Sequence, residues 1–127
     1  HLITEILAVP EWLPAATQGT IGIQCRTDDA DVIRLIEPLK DADAVLRTRV
    51  ERAVATALQG SCQVPLAVFA NLEDEMLGIR ALVGMPDGSR LLKSERSGPA
   101  SAADQLAAAV AEDLLGQGAG QIIASLG

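Results

Sequence analysis

Leu58-Gln59-Gly60-Ser61-Cys62-Gln63-Val64-Pro65-Leu66 divides the chain into two kinds of sequence. Ahead of it, Leu46, Val50, Ala53, Val54, Ala57 and Leu58 recur at spacings of three and four, the period of a helix with one apolar stripe. Behind it come runs with the patterning of strands. Gly60 is the residue type that closes a helix, because glycine takes a left-handed backbone at low cost. Pro65 has no backbone donor and belongs at a strand start or a sheet edge. Cys62 is therefore expected on a tight helix-to-strand loop, where a side chain can be presented to a cleft. A free cysteine is more often a small buried hydrophobe, and the residues alone leave both readings open. The helix end beside it disfavours the thiolate, so a reactive Cys62 needs cations from elsewhere, with Arg26 one candidate.

A length of 127 residues suits one domain with a real core. Aromatic residues make up only 2%, so that core must be built from Leu, Ile, Val and Ala. The formal charge of −7 argues against nucleic acid or an anionic membrane as partner, since both want clustered Lys and Arg. No apolar run approaches the length of a membrane span, and no signal-peptide pattern opens the chain. Two cysteines do not make a disulfide framework, which favours a reducing, cytoplasmic setting. The chain begins at His1 and passes straight into Leu2-Ile3-Thr4-Glu5-Ile6-Leu7, which reads as a piece cut from something longer.

The opening residues differ from the rest. Leu2, Ile3, Ile6 and Leu7 are apolar, but no amphipathic helix runs on through Pro10 and Pro14. Ile21 and Ile23 alternate with small or polar neighbours, predicting a short strand, and Gly19 and Gly22 point to close approach by another backbone or a ligand. A helix is expected from Asp28 as N-cap to about Pro38, burying Val32, Ile33 and Ile36. A second starts at 41–43 and runs to Gly60, with Arg47 and Glu51 four apart as a surface pair.

Strand-like runs follow at about 64–71, 77–84 and 89–96. Residues 71–75 form a polar connection of hairpin length, and Met85-Pro86-Asp87-Gly88 is a stronger turn signal. Ser97-Gly98-Pro99 reads as the end of the sheet, and Ser101 with Asp104 as a capping-box start. Leu106, Val110 and Leu114 line the helix that follows. Gly116, Gly118 and Gly120 then interrupt it before a short last helix carrying Ile122, Ile123 and Leu126. The fold class predicted is α+β: a three-stranded antiparallel sheet with helices packed on one face, preceded by an extended segment.

Common site chemistries find little here. The single histidine is terminal, and Cys25 and Cys62 lack neighbours at ligand spacing, so neither a metal site nor a Cys–His dyad is expected. The glycines near Gln18 do not make a dinucleotide fingerprint. The acidic runs at 28–31 and 73–75 read as a helix start and a solvated turn.

Several longer strings are more specific. Leu13 to Arg26 (LPAATQGTIGIQCR) resembles the LPAVGQGAxGIExR motif of the hydroxymethylbilane synthase family, also called porphobilinogen deaminase. Glu51-Arg52-Ala53, with Leu58 through Pro65, is similar to its AERAF…LEGGCQVP signature. Arg80-Ala81-Leu82-Val83-Gly84 with Pro86-Asp87-Gly88-Ser89 is similar to its RALVGxPDGS hairpin, and Glu95-Arg96-Ser97-Gly98 and Ala111-Glu112-Asp113-Leu114-Leu115 also match. The resemblance covers essentially the whole chain, in order and in spacing.

This resemblance implies that Cys62 holds a dipyrromethane cofactor through a thioether in the parent enzyme. It also implies that Gln18, with Gly19 beside it, and Arg26 help bind the pigment and its growing chain. The parent condenses four porphobilinogen units head to tail, releasing ammonia each time. Residues 1–26 would then be the C-terminal strand segment of a first domain absent here, and residues 27–127 the cofactor-carrying third domain. Thr17, Thr20, Gln24 and Ser61 depart from the family's Gly, Ala, Glu and Gly. The family's catalytic aspartate and arginine-rich cleft have no counterpart in this sequence, so no catalytic residue is expected in the chain.

The expected partners are therefore porphobilinogen, the growing polypyrrole and the N-terminal domains of the same protein. The chain alone is expected to be inactive, without cofactor, and to self-associate through its apolar opening segment. From a different class, a stand-alone α+β interaction module with a free Cys62 would keep the fold without the chemistry.

Overall fold

Asp29 and Asp41 each begin a helix by capping it. A computed structural model describes residues 2–9, 11–58 and 64–126. In it, Asp29 Oδ1 accepts from the Val32 amide at 3.1 Å, opening α1 (Ala30–Ile36). The cap thus falls one residue after the Asp28 expected from sequence. Asp41 Oδ1 accepts from the Ala44 amide at 2.8 Å and opens α2 (Ala42–Ala57). Between them, Pro38 sits in a short 3-10 turn, Glu37–Leu39. Contrary to expectation, α1 buries no residue. Its Ile33 and Ile36 flank an open apolar groove of about 570 Å³, shared with Ile21, Ile23 and Val45, and do not meet a packed layer.

The sheet has the order β1-β2-β3, antiparallel throughout, from β1 (Leu66–Glu73), β2 (Met76–Gly84) and β3 (Leu91–Pro99). Val68, Ala81 and Ser94 stand opposite one another across the three strands, as do Ala70, Ile79 and Arg96. The period-two alternation sends Val68, Ala70, Leu77, Ile79, Ala81, Val83 and Leu92 to one face, where all are buried. Helix α2 packs on β1, while α3 (Ala103–Gly116) lies against α2, β2 and β3. The α+β architecture expected from the sequence is the one observed.

Two rows of i+4 spacing make the buried side of α3: Ala103, Ala107 and Ala111, and Val110 with Leu114. Short alanine side chains let a helix come close to its neighbours, which suits a chain poor in aromatics. Gly118, at φ 101°, turns the chain into α4 (Ala119–Ala124), and α4 buries Ala119 and Ile122.

Four local expectations change. β1 and β2 continue to the pair Glu73–Met76, so the connection is a two-residue turn, Asp74-Glu75, with φ of 49° and 62°. Positive φ at both residues matches the strand twist of a tight hairpin, and here two acidic residues adopt it without glycine. β3 does not stop at Ser97; it runs to Pro99, whose missing donor costs nothing at the end of an edge strand. A 3-10 turn, Ala100–Ala102, then delays α3 to Ala103, so Ser101 caps nothing and Asp104 pairs with Arg49 at 3.3 Å. Residues 18–26 form no strand, and Ile21 is 91% exposed.

The Met85–Gly88 turn is as expected, closed by the Gly88 amide on the Met85 carbonyl at 2.9 Å. Asp87 Oδ1 accepts from both the amide and the hydroxyl of Ser89, which holds its carboxyl below the ordinary value.

The edge strand β3 is tied to α3 by a polar cluster. Ser94, buried, donates to Asp113 Oδ2 at 2.6 Å; Gln117 Nε2 reaches Asp113 Oδ1 at 3.2 Å, and Arg96 pairs with Oδ2 at 3.2 Å. The Ser94 hydroxyl first, then Gln117 and Arg96, hold the Asp113 carboxyl below its ordinary value of 3.8. A carboxyl lowered in this way stabilises the fold above its unfolded pKa and stops doing so as pH falls through the folded one. Asp113→Asn should therefore lower the melting temperature at pH 7, and the gap to the parent sequence should narrow as pH drops below 3.8. Thermal melts by circular dichroism at pH 7 and pH 3 check this; a gap of equal width at both would contradict it.

Candidate functional site

Residues 15–20 form a tight turn that folds back onto the domain. The Gln18 amide donates to the Ala15 carbonyl at 3.1 Å, and the Thr20 amide to the Thr17 carbonyl at 3.0 Å. Thr17 and Gly19 have φ of 61° and 83°. Glycine accepts that region freely, whereas a β-branched residue there is a conformational outlier. What meets Thr17 is Glu51 of α2. Glu51 Oε2 accepts from the Thr17 amide at 2.6 Å, and Oε1 accepts from the Ala70 amide of β1 at 2.8 Å. The Glu51 residue is only 7% exposed. Ala16 packs against the core beside it, and the Thr20 and Thr48 hydroxyls stand 3.4 Å apart. A cleft of about 440 Å³ lies between turn and helix, lined by Gln18, Gly19, Arg47, Thr48, Glu51 and Phe69 among others.

Sequence reasoning placed Glu51 in a surface pair with Arg47, and that is wrong. The buried side of α2 is Val50, Glu51, Val54 and Leu58, while Ala53 and Ala57 are exposed. The sheet edge and the 15–20 turn meet α2 on its Glu51 flank. The Arg47 guanidinium Nε turns instead to the Asp43 carbonyl at 3.4 Å. A signal was present: residue 51 is three before Val54 and seven before Leu58, a stripe position occupied by an acid.

The candidate residues are partly brought together. Gln18 and Gly19 share the turn and the cleft, though Gln18 Oε1 is engaged with its own turn, accepting from the Ala15 amide at 3.0 Å. Arg26 is elsewhere: its guanidinium is 3.1 Å from Asp29 and 3.9 Å from Asp28, on an exposed side chain. Cys62 and its neighbours Gln59 to Gln63 lie outside the described residues, as does the expected helix closure at Gly60. The described residues on either side are held in place. Leu58 is buried, and on the far side the Pro65 carbonyl accepts from the Gly84 amide of β2 at 3.1 Å.

A family model described as porphobilinogen deaminase, C-terminal domain, matches residues 45–116. The chain belongs to that family. The match runs from α2 through the whole sheet to the end of α3, and it includes the residues between Leu58 and Leu66. Membership places the chain with the C-terminal part of the hydroxymethylbilane synthases, transferases of tetrapyrrole synthesis.

A cofactor of linked pyrroles bearing acetate and propionate groups, as the sequence resemblance implies, would need convergent cations to hold it. Arg47 lines the cleft beside Gln18 and Gly19 with its Nε on the Asp43 carbonyl, while several other described cations are already paired. Arg26, Arg49, Arg80 and Arg96 each already face a carboxylate, of Asp29, Asp104, Glu95 and Asp113 respectively. Among the described residues no group of His, Cys, Asp or Glu could hold a metal ion, and no helix is long and apolar enough to cross a membrane.

Proposed function

We propose that residues 27–127 are the cofactor-carrying domain of a hydroxymethylbilane synthase, and that Cys62 holds dipyrromethane through a thioether in the intact enzyme. That enzyme condenses four porphobilinogen units into hydroxymethylbilane with release of ammonia. The observation that carries the reading is the family match across the α2–β1 loop. Residues 1–26 belong with the first domain in this reading, and they bring Gln18 and Gly19 to the growing pigment; Arg26 would join them only on leaving Asp28 and Asp29. The cations that a polyanionic chain requires come from the N-terminal domains of the same protein, because a chain of net charge −7 does not supply them. A cytoplasmic, reducing setting suits a thiol that must stay free for attachment.

The test uses the 127-residue chain directly. Incubated with porphobilinogen, it should release no ammonia and gain no mass at Cys62. In sedimentation it should self-associate, since Leu2, Ile3, Ile6 and Leu7 are all exposed, whereas a version beginning at Thr27 should be monomeric. Ammonia release by the chain alone would show that its own residues suffice for chemistry. Identical sedimentation of both versions would remove the opening segment as the associating surface. An intact enzyme whose mass shows an unmodified Cys62 would favour a binding module instead.

A further inference from the structure

We infer that Glu51 is a positioning residue: its carboxylate fixes the Gln18–Gly19 turn against the C-terminal domain. Three observations carry this. Both carboxylate oxygens are spent on backbone amides, Thr17 on one side and Ala70 of the edge strand on the other. The group is buried at the junction, where an acid with no such duty would be costly. The amide it holds most closely belongs to Thr17, a β-branched residue at φ 61° that does not choose this conformation unaided. Glu51 thus offsets the backbone strain that shapes the turn. It also makes the placement of Gln18 and Gly19 depend on α2, the helix that leads into the Cys62 loop. The role in pigment binding rests on the function proposed above; the positioning itself does not.

Amide hydrogen exchange and nuclear Overhauser contacts of the 127-residue chain test it without any pigment. In the parent sequence the Thr17 amide should exchange at least about tenfold more slowly than the Gly19 and Gly22 amides, as a bond to a charged acceptor implies. A Thr20–Thr48 methyl contact should be present. Glu51→Gln keeps the shape but offers one oxygen for two amides. It should remove the Thr17 protection and the Thr20–Thr48 contact while the Ile79 and Ala81 amides of β2 stay protected. Thr17→Gly, which relieves the φ, should retain the contact, and added to Glu51→Gln it should restore part of it. An unprotected Thr17 amide in the parent sequence overturns the inference even if Glu51→Gln fails to fold. So does a Glu51→Gln variant with the contact intact. Should positioning hold and Gln18→Ala still leave the intact enzyme unaffected, it is the pigment-binding reading that fails.

Discussion

Replacing Cys62 with serine in the intact enzyme is expected to abolish both cofactor attachment and turnover. A serine hydroxyl has no thiolate form at neutral pH and is a far weaker nucleophile unless a base activates it, so no equivalent bond to the pigment should form. Cys25→Ser is the matched control. Cys25 is half-buried beside α1 and lines the apolar groove there, outside the residues matched to the family domain. It should leave attachment and turnover unchanged. Intact mass reads attachment, and conversion of porphobilinogen reads turnover. A Cys62→Ser enzyme that still makes hydroxymethylbilane sinks the assignment of the carrier. Equal loss in both variants would move the effect from chemistry to folding.

Truncation of Leu114 should be the most damaging change in the core of α3. Its side chain is fully buried in the core cluster, while its neighbour Leu115 is 43% exposed. Leu114→Ala removes buried methyl groups and leaves a cavity, at a cost of about 2–5 kcal/mol. Against a total of about 5–15 kcal/mol for a domain of this kind, that is a large share. With roughly 4–8 °C per kcal/mol for domains of up to about 100 residues, the melting temperature should fall by at least about 8 °C. Leu115→Ala should change stability by no more than about 0.5 kcal/mol. Thermal melts followed by far-ultraviolet circular dichroism separate the two. Similar losses from both would mean that the helix is packed on another face.

What the sequence disclosed was whatever is written locally. The Asp41 cap, the Val50–Val54–Leu58 row, the Pro86-Asp87-Gly88 turn and the Gly118 break are all signals carried by side chains within a few residues of where they act. The three strands and their pairing followed from alternation and loop length. The larger misses depend on neighbours distant in the chain, whereas the shifted cap at Asp29 and the 3-10 turn before α3 are local. Glu51 is buried because Thr17 and Ala70 bring donors to it, from 34 and 19 residues away. Ile21 and Ile23 have strand patterning, yet no described strand lies beside them. Asp74 and Glu75 adopt positive φ because the β1–β2 register, carried to Glu73 and Met76, leaves two residues to reverse direction. At the candidate site, Gln18 and Gly19 were legible from a motif and do share a cleft, whereas Arg26 was drawn to the acids of its own helix start. Cys62 owes its place to resemblance alone.

The position of the sole tryptophan has a practical consequence for anyone who unfolds this protein. With no tyrosine in the chain, near-ultraviolet fluorescence comes from Trp12, which is 61% exposed and lies in the opening segment, not in the packed layers. The core of valine, leucine, isoleucine and alanine is optically silent. An emission change on adding denaturant therefore reports first on the environment of that segment, including any release of the turn from Glu51. Backbone ellipticity reports on α2, α3 and the sheet. Two curves that fail to coincide would not by themselves reveal a folding intermediate of the domain; they would time the detachment of a strap from a body that is still folded.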